Sequence, residues 1–201
     1  MSRVLLLSTI LILAGPGPAL SQDGDFDRSG FYGGIALGGA VYTEVKDDLE
    51  DALASIGYAL SVDVEAPPGL DVRAGYRFHP RIAGEVQLQW FPKAQIQIED
   101  IDAFDLETLV LTGNAKGYLL TGRFQPFVLV GGGLMHFNLK DDVGLGTSEK
   151  GTAFAARFGG GVDFYLSRNI VIALDAGYVL PTGDADGLDQ VSFSLGVQYR
   201  F

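Results

Sequence analysis

Cysteine is absent from the 201 residues, so no disulfide framework holds this chain, and its stability must come from packing, sheet closure or lipid. Positive charge is scarce, with 14 Lys and Arg against 25 Asp and Glu and a formal net charge of -11. That balance excludes a nucleic-acid partner, which is held by cationic surfaces. Beyond the N-terminus no apolar run reaches the roughly 20 residues a membrane-spanning helix needs. Prolines are few, 8 against 28 glycines, a ratio that suits tightly curved β-structure better than a helical bundle.

At the N-terminus, Arg3 precedes the apolar run Val4 to Ala14. The helix-breaking Gly15-Pro16-Gly17-Pro18 and the small residues around Ala19-Leu20-Ser21 follow. This order predicts a cleavable export signal over residues 1–21. A short periplasmic segment, 22–29, and one barrel domain, 30–201, are expected after it.

The last eleven residues carry the clearest pattern. Val191, Phe193, Leu195, Val197, Tyr199 and Phe201 alternate with Ser192, Ser194, Gly196, Gln198 and Arg200, which gives a strand with two chemically opposite faces. Seven further segments repeat the rhythm, at about 30–42, 70–78, 82–91, 106–119, 127–137, 152–165 and 170–180. In the second, Leu70, Val72, Ala74, Tyr76 and Phe78 back onto Asp71, Arg73, Gly75 and Arg77. The run Gly131-Gly132-Gly133 obscures the phase of the fifth. Connections alternate in length. Thr43–Gly69, Pro92–Asp105 and Asn138–Gly151 are long and Pro181–Asp189 is intermediate, while His79–Arg81, Leu120–Pro126 and Ser167–Asn169 are short. Such a meander places every short turn at one end and every long loop at the other.

The fold expected is therefore all-β, an eight-stranded antiparallel up-and-down transmembrane β-barrel. Alternation alone does not say which face meets water, since a soluble barrel hides its apolar face and a membrane barrel turns it to lipid. The polar faces decide the matter, because they are rich in Gly and Ala with charges of both signs. In a lumen narrow enough to be filled by side chains, Arg73, Arg77, Glu85, Lys116, Arg157, Asp163, Asp175 and Arg200 are expected to pair with one another as a structural charge network. Outside, Phe78, Phe127, Phe164, Tyr178, Tyr199 and Phe201 are expected to form an aromatic girdle at the short-turn end.

Against this background the chain resembles the outer-membrane β-barrel domain family, related to the OmpA-like barrels of the Gram-negative cell envelope and to the wider porin group. The residues that carry the resemblance are Asn114-Ala115-Lys116-Gly117-Tyr118, then Arg123-Phe124-Gln125-Pro126-Phe127 running into Gly131-Gly132-Gly133, and the closing Gly196-Val197-Gln198-Tyr199-Arg200-Phe201. The resemblance implies outer-membrane lipid as the environment, and Phe201 as an assembly signal read by the barrel-assembly machinery. No peptidoglycan-binding segment follows the strands, so a direct tether to the cell wall is not expected.

Candidate chemistry is sparse. His136-Phe137-Asn138 with Glu149 imitates the His-x-Ser and carboxylate spacing of lipid A deacylase barrels, but Asn138 has no nucleophilic oxygen, so His136 reads as a rim or lumen residue and no enzyme is expected. His79, beside Pro80, reads as a solvated turn residue. The aspartates Asp23, Asp25 and Asp27, and Asp184, Asp186 and Asp189, do not fit the twelve-residue calcium loop, since Arg28 stands at the glycine place and Gly34 at the glutamate place. They read as solvated loop acids, and neither a metal nor another cofactor is expected. Leu49, Ala52, Leu53 and Ile56 recur at helical spacing and predict a short amphipathic helix over the barrel mouth.

Glu44, Asp47, Asp48, Glu50, Asp51, Asp63, Glu65, Glu99, Asp100, Asp102, Asp141, Asp142 and Asp184 gather at the long-loop end, opposite Arg81, Arg123 and Arg168. The function this points to is structural or surface-interactive, through long acidic extracellular loops toward an unidentified partner. A small pore and a soluble lipocalin-like binding barrel are the alternatives.

Overall fold

A computed structural model describes residues 26–42, 62–64, 68–98, 101–141, 148–185 and 188–201. The export signal, the amphipathic segment 49–56 and most of the loop acids lie outside the described residues. Nine strands form among the described residues: β1 (Gly30–Tyr42), β2 (Val62–Val64), β3 (Pro68–His79), β4 (Ile82–Ile98), β5 (Ile101–Tyr118), β6 (Phe124–Asp141), β7 (Ser148–Tyr165), β8 (Ile170–Pro181) and β9 (Gln190–Arg200). Eight of them close a ring of antiparallel neighbours in chain order, with β1 pairing β9 and β4 pairing β5. Closure gives every ring strand a neighbour on both sides over the shared height, so no full-length edge is left to template aggregation. β2 stands outside the ring, inside the long connection Thr43–Gly69 where no strand was expected, and adds only to the far end of β4.

The strands are unequal. β5, β6 and β7 have 18 residues each and β4 has 17, whereas β1, β3, β8 and β9 have 11 to 13. One wall of the barrel thus rises roughly 15–20 Å further along the strands than the other, at about 3.3 Å per residue. The sequence had suggested loops over Pro92–Asp105 and Asn138–Gly151. Strand pairing instead continues from Ile98 to Ile101 and through Asp141 and Ser148. Pro92 misleads because proline normally ends a strand, but here it falls where the register shifts between Phe91 and Ala94, a bulge that has no ladder bond to lose.

Two faces with opposite chemistry result. Phe31, Ile35, Leu37, Val72, Phe78, Val86, Leu111, Val130, Leu134, Phe158, Leu174, Leu195 and Val197 are exposed, and their inward neighbours are buried. On β6 the outward apolar run extends from Phe124 to Leu134 before His136 interrupts it. Tilted at ~40°, that run is roughly 25 Å tall, the height of the lipid-facing band of outer-membrane barrels. No helix among the described residues is long and apolar enough to cross a membrane. The strands do the crossing.

Candidate functional site: the filled lumen

Inward-facing side chains stack in layers along the barrel axis. At the short-turn end, Phe26 is buried from the segment that precedes β1, and its ring meets Tyr165 at 5.2 Å. The segment 22–29 is therefore not wholly solvated, because its described part closes the base of the lumen. Arg77 Nη1 donates to the Phe26 carbonyl at 3.3 Å, to Gln125 Oε1 at 2.8 Å and to the Tyr165 hydroxyl at 3.2 Å, and Nη2 donates to the Pro80 carbonyl. Arg200 donates to the Tyr165 hydroxyl at 2.6 Å and to the Arg28 carbonyl at 2.7 Å. Both guanidiniums also sit against rings, Arg77 at 4.1 Å from the centre of Tyr118 and Arg200 at 5.7 Å from that of Tyr32.

Above this base lies the first ionic layer. Lys116 Nζ stands 3.4 Å from Glu85 Oε2 and 3.8 Å from Asp163 Oδ2, and 3.8 Å from the centre of the Phe127 ring. Tyr32 donates to Glu85 at 3.1 Å, and Tyr118 donates to Asp163 at 2.9 Å. A second layer follows. Arg73 lies 2.9 Å from Asp71 and 4.0 Å from Asp175, and Arg157 meets Asp175 at 2.5 Å. Gln87 Nε2 donates to Asp71 at 2.5 Å, Arg157 donates to Gln89 Oε1, and Arg73 Nη2 donates to Ser194 Oγ at 2.9 Å.

All eight residues named from the sequence lie on the inner side with at most 3% of their surface exposed. Six of them meet in ion pairs. Arg77 and Arg200 correct the expectation of mutual pairing, since tyrosine hydroxyls, amides and carbonyls hold them in place of carboxylates. The physical reason is position: both lie at the turn end, where backbone carbonyls leaving the sheet are free to accept. Asp71 is the anion missing from the expected set, although its place between Leu70 and Val72 in an alternating strand put it on the inner face. It adds a fourth carboxylate to face the five cations.

The upper lumen departs further from expectation. Tyr42, Leu106, Phe137, Ala153 and Ala185 form one buried apolar layer, and Val110, Met135, Ala155 and Val179 form another, with Leu188 packed against both. The barrel is therefore not polar throughout its interior; apolar side chains fill much of its long-loop half, with Thr108 and Gln190 buried at the same level. Phe127, expected in the outer girdle, lies inside instead, 3% exposed and packed with Tyr118, because the register of β6 on β5 sets it opposite the inward-facing Tyr118. Tyr178 is outward but stands eight residues along β8 from Ile170, toward the long loops rather than at the turn end. Phe78, Phe164, Tyr199 and Phe201 do occupy that end, joined by Phe31 and Tyr76, whose rings lie 4.7 Å apart.

His136 is neither rim nor lumen. It is exposed on the outer wall, and its Nδ1 lies 2.9 Å from Thr152 Oγ1. The side chain of Glu149 lies outside the described residues. His79 is an exposed turn residue whose Nδ1 accepts the Arg81 amide at 3.2 Å. Asp189, grouped with the solvated loop acids, is buried and has an interaction partner. Among the described residues no three His, Asp or Glu side chains are grouped as a metal site.

A closed antiparallel barrel with an apolar belt outside and a packed polar interior defines a transmembrane β-barrel protein. The profile of the outer membrane protein beta-barrel domain family matches residues 7–201, and the chain belongs to that family. It is an outer-membrane protein. Outer membrane protein A of Klebsiella pneumoniae is 28% identical over 141 residues, covering 66% of this chain and 41% of that protein, and its Shigella flexneri counterpart is 27% identical over 140 residues, covering 66% and 40%. The chain thus spans about two-fifths of the length of these relatives. Among solved structures, OprG of Pseudomonas aeruginosa superposes with a TM-score of 0.59 at 16% identity, covering 87% of this chain and 93% of that one. Neisserial surface protein A superposes at 0.56 with 16% identity, covering 86% and 98%. At such identities the likeness is one of fold.

Proposed function

We propose that this protein is a non-conducting structural barrel of the outer membrane whose long-loop end makes surface contacts. The observation that carries the reading is the layered lumen: two ionic layers lie between the Phe26 base and the Tyr42–Leu106–Phe137 layer. An ion crossing the barrel would have to displace paired charges and then pass tightly packed layers that are largely apolar. Desolvation makes both steps costly. The tall wall of β4 to β7 supports the second half of the reading, since it carries the strand ends Ile98, Ile101, Asp141 and Ser148 beyond the apolar belt. The connections at 99–100 and 142–147 and the first loop carry ten of the 25 acidic residues, and like-charge repulsion favours their contact with cationic or cation-bridged surfaces.

No catalytic role is assigned, because Asn138 stands where a deacylase-like arrangement would need a nucleophile. The soluble lipocalin-like alternative fails on the belt of exposed Phe, Leu, Ile and Val, which only lipid can cover. The pore alternative is separated by planar-bilayer recording of the purified protein. The expected result is no discrete conductance step, and reproducible unitary steps would overturn the non-conducting reading.

A further inference from the structure

The chain enters β1 through four residues, Phe26–Ser29, that cross the base of the lumen and meet strands far from them in sequence. The Phe26 carbonyl accepts from Arg77 Nη1 and from Gln125 Nε2, each at 3.3 Å. Its ring belongs to one buried cluster with Tyr165 and Val171, and the Arg123 guanidinium stands 5.5 Å from the ring centre. Ser29 Oγ donates to the Phe78 carbonyl at 3.2 Å. Residues of β3, β6, β7, β8 and β9 thus all gather on this short strap.

Arg28 and Arg200 exchange hydrogen bonds across the closing seam. Arg200 Nη2 donates to the Arg28 carbonyl at 2.7 Å, and Arg28 Nη2 donates back to the Arg200 carbonyl at 3.3 Å. The same Arg200 carbonyl accepts from Asn169 Nδ2 at 2.6 Å. The last residue of β9 is therefore gripped by the strap, by the turn between β7 and β8, and by its pairing with Tyr32 of β1. Gly30 lets the chain pass from strap to strand: its φ is +152°, and an added Cβ would stand 3.3 Å from the Phe201 carbonyl. Strap and lumen depend on each other, because neutral oxygens hold Arg77 and Arg200, and a buried cation stripped of acceptors is costly.

We propose that Phe26–Ser29 is a latch that docks after β1 has met β9 and then holds this seam shut at the turn end. The order follows from topology. The strap's hydrogen-bond partners lie 49 to 172 residues away, and they share one rim only once the ring has closed. An interaction absent from the folding transition state slows unfolding and leaves folding unchanged. A latch at one seam also protects its own strands more than the opposite wall of β5 and β6.

The parent protein, Phe26→Ala and Phe26→Leu are folded from urea into dodecylphosphocholine micelles, and the folded fraction is followed in both directions by the heat-modifiable gel band. Phe26→Ala is expected to unfold about tenfold faster or more and to fold within about twofold of the parent rate, and Phe26→Leu, which refills the base, to recover most of the loss. Backbone hydrogen exchange in Phe26→Ala is expected to quicken in β1 and β9 near Tyr32 and Arg200, and to stay that of the parent in β5 and β6 near Gly113 and Gly132. Unchanged unfolding, a folding rate that falls as far as unfolding rises, or exchange that quickens equally around the ring overturns the latch. Failure of Phe26→Ala to fold at all overturns it too, since the strap would then act before closure. None of these outcomes moves the ion pairs of Lys116 and Arg157, on which the non-conducting reading rests.

Discussion

At the scale of single residues, side-chain direction decides the cost of a change more than residue type does. Leu195 and Ser194 are adjacent in β9, yet Leu195 is 57% exposed and Ser194 is 2% exposed. Leu195→Arg places a charge in mid-bilayer and is expected to destabilise by about 2–4 kcal/mol. Ser194→Ala leaves an Arg73 donor without its 2.9 Å acceptor and is expected to cost about 1–3 kcal/mol. Urea-unfolding midpoints in micelles measure both, and equal tolerance at Leu195 of Arg and of Ala would contradict the face assignment. Lys116 is the sharper test. Lys116→Met leaves Glu85 and Asp163 facing each other without a cation, at an expected cost of about 3–5 kcal/mol. Combining it with Glu85→Gln and Asp163→Asn is expected to recover most of that loss, since the penalty comes from unpaired charge and not from lost packing.

At the scale of elements, the seam between β1 and β9 closes the cylinder, and it closes by close backbone approach. A Cβ added at Gly196 would stand 2.1 Å from the Ile35 carbonyl and 2.4 Å from the Ala36 Cα, the residue it faces across the seam. Gly196→Val is therefore expected to prevent first and last strands from meeting, read as loss of the fast-migrating, heat-modifiable band on unboiled gels. A valine variant that migrates as the parent protein does would show that the seam relaxes. The aromatic at the end of β9 acts differently. Phe201 is 73% exposed and is tied by its amide to the Phe31 carbonyl at 3.0 Å, so little of the folded barrel depends on its ring. Its proposed role is as the assembly signal. Deleting it is expected to lower the yield of inserted protein in cells while leaving the unfolding midpoint of the inserted fraction nearly unchanged; normal insertion would remove that role.

At the scale of the whole molecule, inside and outside exchange their usual chemistry, and the free-energy logic follows. Lipid covers the apolar exterior, so there is no hydrophobic force between wall and solvent to lose. Stability then rests on the closed ladder of backbone bonds and on the lumenal ion pairs. Asymmetry adds a direction. The Phe26 base seals the turn end, the hydrocarbon layers seal the loop end, and the tall β4–β7 wall marks one side of the barrel. Heating in detergent is expected to unfold such a closed object in one step, visible as a single shift in gel migration, with no intermediate band.

Much of this was legible in the residues themselves. Alternation with period two marked seven of the eight barrel strands with the correct phase, and it put Arg73, Glu85, Lys116, Arg157, Asp163 and Asp175 on the face where they are found. Period-two patterning is local, and local information suffices for direction. The rest depends on neighbours. Whether Phe127 points inward turns on a register that three glycines do not encode, and only pairing with β5 and β7 settles it. That Arg77 binds a carbonyl from the preceding segment, that Tyr42 joins Leu106 and Phe137 in one buried layer, and that Trp90, Glu107, His136 and Asn138 share one hollow all require residues far apart in the chain to reach one height on a closed cylinder. Sequence determined the two faces of each strand, because side-chain direction follows from backbone geometry alone. Closure decided what each face meets, because shear and strand length set which residues lie level around the ring.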